Sequence, residues 1–147
     1  MKKSLLIIAC LLFVSAGMYA QSAARVSEVL NTEKATVGQA AYLAASYLNL
    51  VPETAEEAEA CNVLIQKGIC RKGSDPSASV SYKQLAGLCM RTWNTKGGIM
   101  YSITKSDHYA FRELQDKGYI PQSADPQAPV SGSVMIALIG RFIETED

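Results

Sequence analysis

Residues 54–93 and 104–143 superpose without a gap at an offset of 50, and this internal repeat restricts the fold more than any other feature of the chain. Its identities include Thr54/Thr104, Leu64/Leu114, Lys67/Lys117, Gly68/Gly118, Asp75/Asp125, Pro76/Pro126, Ala78/Ala128, Val80/Val130, Ser81/Ser131, Leu88/Leu138 and Arg91/Arg141. A unit of this size is one supersecondary element that buries its apolar face by stacking on a copy of itself. The repeat therefore predicts one domain built of like units.

Each unit reads as helix, loop, helix. Thr54 with Glu57, and Thr104 with Asp107, fit the capping pattern of a hydroxyl followed three residues later by an acid, so first helices are expected to start there. Ala58, Cys61, Leu64 and Ile65 supply one apolar stripe, and Ala110, Phe111 and Leu114 the other. Lys67-Gly68 and Lys117-Gly118 place a glycine where a helix ends in the left-handed conformation. Asp75-Pro76 and Asp125-Pro126 then predict turns, because the carboxylate accepts a local backbone hydrogen bond and proline fixes its own φ. One carboxylate per loop is too few for a calcium cage. Ser81 and Ser131 are expected to cap the second helices.

A shorter copy lies upstream. Thr36 through Leu43 aligns at an offset of 45 with Ser81 through Leu88, and both stretches have a hydroxyl followed three residues later by glutamine. Val26, Val29 and Leu30 provide a short helix before it. The chain thus divides into motifs of about 22–53, 54–103 and 104–147, in an all-α, compact pseudo-repeat bundle of three helix-loop-helix motifs. Gly97-Gly98 with residues 99–103 has no place in that plan and is expected to be a short extended crossing.

A helix ending in Lys-Gly-Ile or Lys-Gly-Tyr, an aspartate turn, and a hydroxyl-capped second helix after Val-Ser resemble the S-layer homology motif. Three such motifs make that family's usual module, so the resemblance implies a three-motif helical fold over roughly residues 22–147. The family's second helix typically opens with a hydroxyl residue and then an arginine that contacts an anionic cell-wall polysaccharide. The matching positions here are Val37, Tyr82 and Gly132, so the chain is a divergent case without the ligand arginine.

Lys2 and Lys3, the apolar run from Leu5 to Val14 and the small residues leading to Ala20 read as a secretory signal, residues 1–20, ahead of a single domain, 21–147. The apolar run is about half the ~20 residues of a bilayer span, so no transmembrane segment is expected after cleavage. Met18 is large for its place before the cut, which leaves the exact site open, as does the lipobox-like Ile7-Ile8-Ala9-Cys10. Basic and acidic residues balance at 14 each, with no basic cluster, which argues against a nucleic-acid partner. Cys61, Cys70 and Cys89 align with Phe111, Ile120 and Ile139, so each stands where the sister unit uses a hydrophobe; burial is expected, and pairing of two of them stays open.

No phosphate-binding glycine loop or nucleophile elbow is present. His108 and the three cysteines lack the close cysteine pair of structural zinc sites, so neither metal nor cofactor is expected. Trp93, Met100 and Tyr101 are the candidate partner surface, since aromatics and methionine anchor interfaces, although a large aromatic such as Trp93 more often caps the core. These readings together predict a non-catalytic, exported module of the periplasm or cell envelope whose partner is an envelope protein or cell-wall polysaccharide. The alternative is a small periplasmic thiol- or metal-dependent enzyme.

Overall fold

The computed structural model describes residues 23–145, so the signal segment and Cys10 lie outside the described residues. Seven helices follow in order: α1 (23–30), α2 (Val37–Tyr47), α3 (Glu57–Gln66), α4 (Tyr82–Thr92), α5 (Ile99–Thr104), α6 (Asp107–Asp116) and α7 (Gly132–Glu144). Apart from isolated bridges, the described residues form no strand, and the fold is all-α. Pairs α1/α2, α3/α4 and α6/α7 are the three helix-loop-helix motifs. The second helix of one motif packs on the first helix of the next, α2 on α3 and α4 on α6.

The repeat is visible atom by atom at the end of each first helix. Gly68 and Gly118 both sit at φ 73, and the amides of Ile69 and Tyr119 reach back to the carbonyls of Leu64 and Leu114 at 2.9 and 2.8 Å. Such a left-handed residue satisfies carbonyls that the last turn leaves open. In the following loops the Asp75 and Asp125 carboxylates each accept from the backbone two residues on, Ser77 and Gln127, at 2.9 Å.

That turn serves the neighbouring motif. The first amides of a helix have no intrahelical partner. Those of α2, at Val37 and Gly38, donate to Ala78 and Pro76 carbonyls of the second motif at 2.9 and 2.8 Å. Those of α4, at Tyr82 and Lys83, donate in the same way to Ala128 and Pro126 of the third at 3.2 and 3.1 Å. Gly132, first in α7, closes the circuit by donating to Thr32 of the first motif at 2.9 Å. Beneath these contacts lies a ring of three hydrogen bonds: Ala35 N–H to Val130 C=O (2.8 Å), Val130 N–H to Val80 C=O (3.0 Å) and Val80 N–H to Ala35 C=O (2.8 Å). All three residues are buried, so the ring pairs amides and carbonyls that water cannot reach. The motifs are related by a cyclic pseudo-threefold arrangement.

Side chains complete the helix starts. Thr36 with Gln39 and Ser81 with Gln84 form reciprocal capping boxes on α2 and α4, while Ser131 accepts from Val134 N–H on α7 without a box because its third residue is apolar. Thr54 and Thr104 do not cap. α3 begins at Glu57 after Glu56, which makes no side-chain cap, and α6 is capped by Ser106, two residues beyond Thr104. Thr104 instead ends α5, its hydroxyl donating to the Met100 carbonyl at 2.8 Å. Ala58, expected on the apolar stripe, is exposed in the first turn of α3, and Ala60, Cys61 and Leu64 form the buried face. Residues 99–103, expected to be extended, belong to the short helix α5.

One continuous core joins all three motifs, with Ala40, Ala41, Leu64, Leu85, Met90, Leu114, Met135 and Phe142 among its buried members. Trp93 is part of it, packed between Tyr47 (ring centroids 5.1 Å) and Phe142 (5.4 Å, stacked). Among the described residues no helix is long and apolar enough to cross a membrane.

Candidate binding grooves between motifs

Stacking like units leaves a seam wherever the second helix of one motif meets the loop of the next. At the seam between the first and second motifs, Val37 and Ala40 face Cys70, Arg71 and Ser74 of the second loop and Gln84, Leu88 and Arg91 of α4. The cleft has a volume of ≈ 40 Å³, and Asp107 from the start of α6 closes one side.

Asp107 organises the charge. Its Oδ1 accepts from Arg91 at 2.7 Å and its Oδ2 from Arg71 at 2.8 Å, while its side chain is only 10% exposed. A carboxylate that far from water requires pairing, and the two guanidinium groups supply it. Gly87 of α4 makes the approach possible, since a Cβ there would overlap the Asp107 carboxylate. Arg91 is itself held by the Ile69 carbonyl at 2.6 Å and the Lys105 carbonyl at 3.3 Å and is nearly buried. Arg71 differs: its side chain is 57% exposed, so the cluster of two cations and one anion presents its surplus positive charge at the rim through Arg71.

A sister groove occupies the next seam. Tyr82 of α4 faces Tyr119, Ile120 and Pro121 of the third loop and Val134, Leu138 and Arg141 of α7, around a volume of ≈ 120 Å³. At the repeat offset Cys70, Arg71, Gln84, Leu88 and Arg91 become Ile120, Pro121, Val134, Leu138 and Arg141, so the two clefts are one location written twice. Arg141 repeats the anchoring role of Arg91, donating to the Gly118 carbonyl at 3.2 Å, and its guanidinium lies 5.5 Å from the Tyr119 ring centre. The first groove is the more polar of the two and carries the charged cluster beside an apolar wall; the second is largely apolar.

The aromatic trio expected to form a partner surface is divided by the fold. Trp93 is in the core, its indole N–H buried without a hydrogen-bond partner, and Tyr101 is 1% exposed. Only Met100 is open to solvent, so the three do not line a common groove. The reason is the helical turn of α5, which points Tyr101 inward and its neighbours outward. Thr36, Ser81 and Ser131 stand at helix starts beside the seams, and Gly68, Gly118, Asp75 and Asp125 shape the loops that border them. Arg71 carries no mark in the repeat, because its counterpart is Pro121; Asp107 does, as an acid aligned with Glu57, though that pattern points to a helix cap, and Arg91 does through its identity with Arg141.

The second helices open at Val37, Tyr82 and Gly132, none of which has room for a long charged side chain at its present position. Val37 is buried, Tyr82 is half-buried against the sister groove, and a Cβ on Gly132 would overlap the Val29 carbonyl. An arginine at Gly132 would require α1 to move.

Cys61, Cys70 and Cys89 are unbridged and buried. Burial pushes all three thiols up, with Cys70, which also hydrogen-bonds Cys61, raised to about 12. Thiols so protonated at neutral pH are poor nucleophiles. His108 is exposed on α6, its ring edge-on to Tyr109, and among the described residues no three His, Cys, Asp or Glu side chains come together as a metal-ligand set. No protein-family model, curated protein or solved structure matches the chain.

Proposed function

We propose that this chain is an exported, non-catalytic module of the cell envelope, a divergent relative of S-layer homology modules, that binds an envelope protein or wall polymer in the grooves at its motif seams. The observation that carries the reading is the recurrence of one groove at two equivalent seams, each built on the same anchored arginine, Arg91 or Arg141. Grooves between stacked repeats are where such architectures offer extended binding surfaces. In the polar groove Arg71 supplies an exposed guanidinium, suited to a carboxylate or phosphate on the partner. The buried, protonated thiols weigh against the thiol-enzyme alternative.

Arg71→Ala tests the reading, because Arg91 still pairs with Asp107 when Arg71 is gone. Arg71 is more than half exposed and Asp107 keeps Arg91, so the loss should be about 1 kcal/mol and the thermal midpoint should fall only modestly. Capture of wall polymer or envelope protein by the immobilised variant should fall severalfold relative to wild type. Equal capture by both would remove the polar groove from the binding surface.

A further inference from the structure

α5 is the one helix with no counterpart in the repeat: the stretch joining the first and second motifs, 48–56, contains no helix. It is also where the molecule is least able to hide its apolar side chains. Ile99 is 80% exposed, Ile103 75% and Met100 50%, and no other large hydrophobic residue among the described ones is as open. These side chains share one helix face, because residues four apart are neighbours on a helix.

The ridge is anchored at both ends. Tyr101 is buried beneath it, Gly98 N–H donates to the Glu113 carboxylate at 2.6 Å, and the Lys105 carbonyl accepts from Arg91. Exposed lysines flank it at both ends, Lys96 before and Lys105 after, and a third joins them because the Lys117 ammonium donates to the Lys96 carbonyl at 3.3 Å. One carboxylate, that of Glu113, lies at the start of the ridge on the Gly98 N–H, so the three lysines outnumber it. The result is an apolar wedge inside a basic frame.

From this we infer that α5 docks the protein on an anionic lipid surface, the Ile99, Met100 and Ile103 side chains entering the interface and Lys96, Lys105 and Lys117 meeting the headgroups. Apolar insertion combined with basic attraction is how amphipathic segments hold to acidic bilayers. Six residues at about 1.5 Å each make a wedge, far too short for a span. A second copy of the chain is the poorer occupant, since a two-fold contact through this ridge would bring like charges together. The inference is independent of the seam grooves.

The test is co-sedimentation of protein recovered from the envelope of expressing cells with vesicles of phosphatidylcholine alone or mixed with phosphatidylglycerol. Wild type should sediment with the mixed vesicles at least tenfold more strongly than with the neutral ones, and lose most of this in high salt. Ile99→Ser with Ile103→Ser should abolish the difference while the thermal midpoint stays in place; Lys96→Glu with Lys105→Glu should also abolish it by reversing charge, with a lower midpoint because the Lys105 ammonium leaves the Tyr101 ring, 4.9 Å away. Equal sedimentation of wild type and the serine variant would overturn the assignment, as would a failure of wild type to bind the mixed vesicles. A concentration-dependent dimer that the serine variant dissociates would overturn it in favour of a second copy.

Discussion

Gly132 and Gly140 lie in the same helix and show how far one atom's surroundings decide a residue. At Gly140 a Cβ would meet nothing within 4 Å, whereas at Gly132 it would overlap the Val29 carbonyl. Alanine is worth up to about 1 kcal/mol over glycine inside a helix, so Gly140→Ala should be neutral or stabilising. Gly132→Ala should instead destabilise by about 1–3 kcal/mol, the usual consequence of forcing extra volume into a packed site. Urea denaturation of the two variants checks both signs; a stable Gly132→Ala protein would mean that α1 does not sit against the start of α7. Trp93 and Tyr101 belong to this scale as well. Both fill the core, so a variant at either reports on folding before it reports on binding.

Elements in this chain end locally and begin with outside help. α3 and α6 end at Gly68 and Gly118, where a Cβ would meet nothing but the φ of 73 disfavours it, while α2, α4 and α5 end at Asn49, Asn94 and Lys105, also with positive φ. Alanine at either glycine should therefore cost about 1–2 kcal/mol, the penalty for a left-handed L-residue, with no repacking. Calorimetry on both variants should give similar losses, and a large difference would break the equivalence of the two loops. Local ends were legible in the sequence because glycine's permissiveness is a property of one residue. Helix starts were only partly legible: Thr36, Ser81 and Ser131 stood out by their spacing, but the carbonyls of Pro76, Ala78, Pro126 and Ala128 that cap α2 and α4 come from another motif. Thr54 and Thr104 matched a cap pattern that Glu56 and Ser106 displaced. The expectation of an extended crossing at 99–103 rests on the two glycines and on the absence of a counterpart in the repeat, and neither reports the burial of Tyr101 that accompanies the helical turn of α5. The Arg71, Arg91 and Asp107 cluster draws on three separate elements, and only Arg91 has an identical partner at the repeat offset.

At the level of the whole molecule, the loops that cap neighbouring helices make the three motifs interdependent, and the seam grooves exist only while they remain locked. A solenoid whose units touch only the next in line would let a terminal unit open alone. The cyclic arrangement forbids this, because Ala35 in the short first motif donates to the third motif and accepts from the second. The most direct test is residue-resolved amide hydrogen exchange at Ala35, Val80 and Val130. The closed ring predicts that all three exchange at the same slow rate, through global unfolding, and that they accelerate together in denaturant. Rapid exchange of Ala35 while Val80 and Val130 stay protected would show the first motif to be a loosely attached arm, contradicting the three-motif body on which the seam grooves depend.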